Sequence, residues 1–330
     1  MKNKENISIK RYESCFYEIW NEFVANAKNA TFLFHRDFME YHQDRFEDYS
    51  LLIFNEKNKL RSILPAHKSG DIIFSHQGLT YGGFVFDASI FLSECVEVVK
   101  STLQFLNLNG LKTLNLKIIP AFYHLLPANE IDYILFVLNA KLYRRDSIAL
   151  LDLEHPLPIS RVRKRGVEKG VKNGLLIKET HDFKEFWDQI LIPNLKQKYR
   201  VNPVHTLSEI TYLKSKFPNE IRQFNVFFED RIVAGITIFE KGRVVHPQYI
   251  SGADSLNNSL GSIDFLYHYL LNEKYAHKKY FDFGISNENS GKNLNKSLHY
   301  FKESFGGRTI NQDFYEVETA NYVLLEHVLR

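Results

Sequence analysis

Cysteine is scarce: Cys15 and Cys95 are the only two in 330 residues, far apart and in unlike contexts. Neither a disulfide framework nor a thiolate metal site is expected from such a pair, and the usage fits a reducing compartment. Long apolar runs are missing as well. No stretch approaches the roughly 20 residues that cross a bilayer, and Met1 to Arg11 is polar and charged with no apolar segment behind it, so no signal peptide is expected. These absences describe a soluble, cytoplasmic protein without a membrane span. An excess of one charge is absent too, since 42 Lys and Arg against 39 Asp and Glu leave a formal net charge of only +3. DNA is therefore not an expected partner, and any nucleic-acid contact must come from local clustering. The 13 histidines form no His-Glu-x-x-His pair, and there is neither a Gly-x-Ser-x-Gly elbow nor a Gly-x-x-x-x-Gly-Lys-Ser/Thr phosphate loop. Metal and covalent-nucleophile chemistry fail on spacing.

What is present is a large folding payload, 44% hydrophobic and 14% aromatic, in a chain long enough for two domains. Leu51 to Leu60 reads as a strand, a polar turn and a second strand, continuing through Ile72-Ile73-Phe74 into Ser75-His76-Gln77. Asn225 to Phe239 repeats the plan and runs through Val244-Val245 into His246-Pro247-Gln248-Tyr249. A helix follows in each half, over 90–106 and 261–275, and a strand follows each helix, over 113–118 and 280–283. Self-similarity at about half the chain length implies a duplicated domain, since solenoid repeats run to roughly 20–50 residues.

Two prolines, Pro156 and Pro158, break regular structure after Asp152, which divides the chain into 1–154 and 155–330. Behind the break, 182–199 reads as an amphipathic helix. Another spans 206–216, with Thr206 as N-cap and Glu209 three residues on.

Tyr280-Phe281-Asp282-Phe283-Gly284-Ile285-Ser286 reads as an aromatic strand ending at a residue without Cβ, where a ligand can approach the backbone. Asp282, beside that strand end, is the carboxylate best placed to act as a base. Leu294 to Glu303 then reads as a helix carrying Phe301-Lys302, which Gly306-Gly307 stops. The histidines at the strand exits, His76 and His246, can take the proton an attacking ammonium must lose. Arg161, Arg163, Lys164 and Arg165 open the one strong basic cluster, suited to phosphates of transfer RNA, coenzyme A or a nucleotide sugar.

The strings Ser75-His76-Gln77-Gly78-Leu79-Thr80-Tyr81-Gly82-Gly83 and Phe301-Lys302-Glu303-Ser304-Phe305-Gly306-Gly307, with the duplicated plan, resemble FemAB-like acyltransferases, double-domain members of the GNAT superfamily. The resemblance implies an α/β (α+β) fold of two tandem GNAT-like domains, each a mixed, mostly antiparallel sheet flanked by helices. It implies an enzyme that transfers an acyl group from an acyl-CoA such as acetyl-CoA, or an aminoacyl group from an aminoacyl-tRNA, to the amine of a cell-envelope precursor or sugar. The acceptor belongs to the first domain and the donor to the second. Lys302 would stabilise the developing oxyanion, with Asp282 and His246 as its catalytic companions. His76, Gln77, Tyr81, Gly82, Gly83, Gln248, Tyr249, Gly284, Ser286 and Phe301 would meet substrate. Ser259, Gly261, Ser262, Arg163 and Arg165 would meet the cofactor, although Asn258 to Ile263 holds a single glycine and no preceding Arg where a GNAT usually places its pyrophosphate loop. A peptide-bridge, FemX-like aminoacyltransferase and a non-catalytic module binding a nucleotide-linked ligand remain alternatives.

Overall fold

In the first half of the chain, Pro65 separates two sets of strand pairings. A computed structural model of the protein describes residues 7–254 and 256–329; residues 1–6 of the segment read above for a signal peptide lie outside them. Two compact units share the described residues. One runs up to Asp146 and includes Ser290–Lys292 and the residues from Asn311 on, and the other comprises Ser147–Asn289 and Asn293–Ile310. The sequence division at 154/155 thus meets a change of unit at 146/147. The residues from Asn311 on lie with the first unit, for which hairpin and helix periodicity carried no sign.

The first unit contains strands β1 (Ser8–Arg11), β2 (Glu47–Asp48), β3 (Leu51–Phe54), β4 (Leu60–Leu64), β5 (His67–Ser69), β6 (Ile72–Phe74), β7 (Val85–Phe86) and β8 (Thr113–Lys117). Its helices are α1 (Tyr17–Asn26), α2 (Arg36–Glu40), α3 (Leu92–Leu108) and α4 (Glu130–Val137). The expected hairpin is β3 and β4, with Leu51 opposite Leu64. Pro65 has no N–H to give a ladder, and there the strand changes partners: β4 stays with β3 and β7, while β5 pairs with β6. β6 lies parallel to β8, Phe74 opposite Asn115. The crossover helix α3 buries Val96, Val99, Leu103 and Leu106, which share one helical face.

In the second unit, after strand β9 (Lys141–Asp152), come α5 (Arg161–Lys172), β10 (Leu176–Thr180), α6 (Lys184–Phe186), a π-helical turn (Trp187–Leu191), α7 (Ile192–Tyr199) and α8 (Leu207–Lys216). Thr206 and Glu209 form the expected capping box on α8. Then follow β11 (Ile221–Phe228), β12 (Arg231–Lys241), β13 (Val244–Gly252), α9 (Asn257–Leu260), α10 (Ser262–Tyr269), β14 (Tyr280–Ile285), β15 (Asn287–Glu288), β16 (Asn293–Leu294), α11 (Lys296–Glu303) and β17 (Arg308–Glu318). The sheet order is β10-β11-β12-β13-β14-β9, antiparallel except for the β13 and β14 pair. Its core gathers Phe224, Ile236, Ile238, Leu266, Phe281 and Phe283. In the first unit β17 plays the part that β9 plays here, lying antiparallel to β8 with Phe314 opposite Lys117. Hairpin, third strand, helix and parallel strand therefore recur in both units, as the sequence plan implied.

The basic segment proves to be half of a glycine contact. Gly166 and Gly170 lie four residues apart on one face of α5, and a Cβ on either would overlap α10, at Asp264 and Phe265 respectively. Gly261, at the start of α10, has φ +68° and would meet the Gly166 carbonyl oxygen with any Cβ. Left-handed backbone and close approach both demand glycine there. Gly261→Ala should therefore destabilise the protein by about 2–4 kcal/mol, measured by urea denaturation. Gly110→Ala, with φ +77° but nothing within 4 Å, should cost about 1–2 kcal/mol, and equal losses for the two would refute the close-approach account.

Candidate active site

β13 and β14 pair only at Val244 with Tyr280 and Val245 with Phe281; beyond these the strands part. β13 bends because Gln248 is an extra residue between Pro247, opposite Ile238, and Tyr249, opposite Thr237. β14 carries a bulge of its own: Asp282 faces Leu150 and Ile285 faces Ile148, so β14 has one residue more than β9 over that interval. Gly284 absorbs the bulge at φ +74°, and the Asp282 carboxylate fixes the turn by accepting the Gly284 N–H at 2.7 Å.

The three expected catalytic residues meet in this fork. His246 Nδ1 lies 3.1 Å from Asp282 Oδ2 and 3.1 Å from the Asp282 carbonyl oxygen. A carbonyl can only accept, so Nδ1 carries a proton, and in the neutral ring Nε2 is then the acceptor. The bare Cα of Gly284 lets the imidazole lie close, because a Cβ there would sit 3.4 Å from His246 Cε1. Lys302, on α11, donates to the carbonyls of Gly284 at 3.1 Å and Ile285 at 2.5 Å, two groups beside the bulge. Lys302 is 7% exposed and Asp282 2%. Burial pulls the Lys302 ammonium down to about 8, against which the Asp282 charge works in the opposite direction. Ser286, just beyond the bulge, is buried with no hydrogen-bond partner at Oγ.

Phe301 is placed otherwise. Its ring packs against Tyr267 and Phe305 and under the Arg163 guanidinium, so it anchors α11 to the core while the next residue turns toward β14. Asn295 caps the helix by accepting the Leu298 N–H, and the Gly306 N–H closes it on Glu303 O, where the sequence put the stop. Gln248 sits in the bulge. The Tyr249 hydroxyl accepts the His205 N–H at 3.1 Å and faces His205 Nδ1 at 2.6 Å, and burial pushes the phenol up to about 12.

Of the cofactor candidates, Arg163, Arg165 and Gly261 line a cavity of about 340 Å³ that also touches Lys169, Asn257 and Phe301. Arg163 is already committed, paired with Asp264 at 2.7 Å; Arg161, Lys164 and Arg165 are exposed. Ser259 Oγ gives its proton to Leu256 O, and Ser262 Oγ gives its own to Asn257 Oδ1, which also takes the Ile263 N–H. Asn257 therefore occupies donors at the start of α10 that an anion would need, a cap that the spacing of Ser259, Gly261 and Ser262 could not reveal.

The remaining candidates belong to the first unit. His76 has φ +59° and Gln77 follows it, both lining a cavity of about 280 Å³. Tyr81 is core, 1% exposed with its hydroxyl on Thr31 Oγ1 at 2.8 Å. Gly82 gives its N–H to Lys117 O at 2.6 Å and could carry no Cβ without striking Ser75 O, while Gly83 turns at φ +94°. The sequence passed over Lys117 and Arg144, which share the cavity with His76. The alternation of Thr113, Asn115 and Lys117 against buried Leu114 and Leu116 was the available signal. Among the described residues, Asp152, Glu154 and His155 could gather round a cation, but they are surface groups paired with one another and with Lys279.

No family model matches the sequence, and no curated protein is a significant match. Solved structures do match. FemX superposes with a TM-score of 0.65 at 10% identity over 97% of this chain and 99% of its own. L-PGS from Bacillus licheniformis gives 0.56 at 11% over 96% of each chain. A tandem GNAT protein from the clavulanic acid biosynthesis pathway gives 0.50 at 9% over 95% and 99%. The fold is the tandem GNAT fold. The resemblance read from the two strings agrees with it, and identities this low establish architecture rather than substrate. No described helix is long and apolar enough to cross a membrane.

The geometry sets an expectation for Lys302. Its ammonium should titrate near pH 8, and Asp282→Asn should move the midpoint lower, because the carboxylate that favours the charged form is gone. Lysine-selective NMR reads both, and a Lys302 midpoint at the ordinary surface value would contradict its burial.

Proposed function

We propose that the chain is an N-acyltransferase of the FemAB-like kind, acting in the cytoplasm to move an acyl group from an acyl-CoA such as acetyl-CoA to the amine of a cell-envelope precursor or sugar. The observation that carries this reading is the convergence of a buried lysine and a His–Asp pair in the fork between β13 and β14. His246 Nε2 takes the proton that the acceptor ammonium must lose, and Asp282 stabilises the imidazolium that forms. The freed amine nitrogen bonds to the acyl carbon, and the carbonyl oxygen becomes an oxyanion. Lys302, holding two carbonyls and keeping a third proton, supplies positive charge to that oxygen. Collapse breaks the carbon–sulfur bond, the thiolate leaves with the proton that His246 returns, and the new amide nitrogen gives up its remaining excess proton to solvent. Holding both substrates together supplies much of the rate. The resemblance gives the acceptor to the first domain and the donor to the second, and we keep that division.

A second donor is favoured by one specific observation. The start of α10 is covered by the Gly166 carbonyl and capped by Asn257, which leaves a coenzyme A pyrophosphate poorly provided for. An aminoacyl-tRNA needs no such cradle, and exposed Arg161, Lys164 and Arg165 can meet its phosphates. In that case a carbon–oxygen ester bond breaks and the proton returns to the ribose hydroxyl.

A donor screen of acyl-CoAs against charged tRNAs, with amine acceptors, distinguishes the two. Lys302→Met should lower kcat by about 10²–10³ with donor affinity nearly unchanged and the fold intact by circular dichroism. Wild-type turnover in that variant would overturn the role of Lys302. Ligand binding without turnover for every donor would return the chain to a binding module.

A further inference from the structure

The first unit holds a second built cavity to which the proton-transfer and acyl-transfer steps proposed above assign no role. It opens where β6 leaves β8: Ser75 N–H still reaches Asn115 O at 2.9 Å, but Gly82 takes over at Lys117 O. Its walls include Phe74, His76, Asn115, Lys117, Arg144 and Phe314, around about 280 Å³. Small-molecule pockets run from roughly 300 to 1,000 Å³, so the occupant is no larger than an amino acid derivative.

Two cations face this space. Lys117 Nζ spends one proton on Leu79 O at 2.7 Å and keeps two. Arg144 binds Asp146 through Nε and Nη2, leaving Nη1 without a hydrogen bond. Because Asp146 offsets Arg144, the cavity carries the equivalent of one positive charge, which matches a monoanion. Two buried polar atoms in its walls have no hydrogen-bond partner, His76 Nδ1 and Asn115 Oδ1, and His76 is only 4% exposed. Such atoms are costly to leave unpaired, and an amide oxygen is satisfied only by a donor. We propose that this cavity is a ligand site for a small carboxylate that also carries an N–H donor, with the carboxylate between Lys117 and Arg144 and the donor on Asn115 Oδ1.

The inference does not depend on the transferase reading, and its test is binding rather than turnover. N-acetylglycine, acetate and inorganic phosphate are titrated into the full chain by isothermal calorimetry. N-acetylglycine should bind more tightly than acetate, which has no donor, and more tightly than phosphate. Lys117→Met and Asn115→Leu should each weaken it by at least about tenfold, while Lys302→Met should leave it unchanged.

Affinity should also fall as pH rises through about 8. Burial and the Arg144 charge bring Lys117 down to that value, opposed by Asp146, so the lysine is charged below it and neutral above. The other titratable groups facing Lys117 do not change charge there: burial and the His42 and His67 rings hold His76 near 3, and Tyr143 is raised by burial. If Lys117→Met fails to fold, Asn115→Leu and the pH dependence still decide. Failure of all three probes to bind, equal binding of phosphate, or indifference to Asn115→Leu and to pH would each overturn the assignment.

Discussion

The buried charge of Lys302 depends on two backbone carbonyls that sit beside a one-residue bulge in β14. A lysine ammonium withdrawn from water is tolerated only where its protons find partners, and the oxygens of Gly284 and Ile285 supply two. The bulge requires the left-handed backbone at Gly284, and the Asp282 carboxylate holds that turn while it orients His246. One local irregularity therefore positions the cation, the carboxylate and the imidazole. Remove the bulge, and a regular β14 would keep those carbonyls in its ladder with β9, leaving the lysine to be neutral or displaced.

The contact of α5 with α10 in the second unit is governed by closeness of approach. Gly166 and Gly170 on α5 and Gly261 on α10 let two helices meet at backbone distance. The Arg163 and Asp264 pair, with the guanidinium over Phe301, sits beside this contact. This ties α5 to α11, the helix that delivers Lys302. The basic segment thus has two faces of different purpose: an inner one that packs, and an outer one, with Arg161, Lys164 and Arg165, that keeps its charge in water.

Much of this was legible beforehand because periodicity and glycine report on backbone. The hairpins, the two crossover helices, the capping box at Thr206 and the stop at Gly306 all follow local rules, and the structure has them. Lys302, Asp282 and His246 were legible as types in a string, yet their meeting depends on a bulge that no spacing announces. Tyr81 and Gly82 sat in an equally distinctive string, and the structure has the tyrosine buried in the core and the glycine close against Ser75. The return of the residues from Asn311 to the first unit is a long-range pairing, set by partners some two hundred positions away, as the contact of Gln312 with Thr80 and Ile118 shows.

A parallel pair that forks is a consequence of the duplicated plan itself, because two neighbouring strands joined by a helix must part when one ends or bends before the other. Both units contain such a fork, and each brings a lysine that desolvation lowers to about 8 close to it, Lys302 buried and Lys117 half-buried. The routes differ. In the first unit the lysine belongs to the strand, and Gly82 replaces the departed β6 beside it; in the second it comes from the helix that follows, against carbonyls beside a bulge. A cation carried on a strand is fixed by the ladder and suited to holding an anion. One delivered by a helix beside a free imidazole nitrogen is suited to meeting charge that develops during a reaction. The same plan supplies the opening twice, and the local backbone sets which groups each one presents.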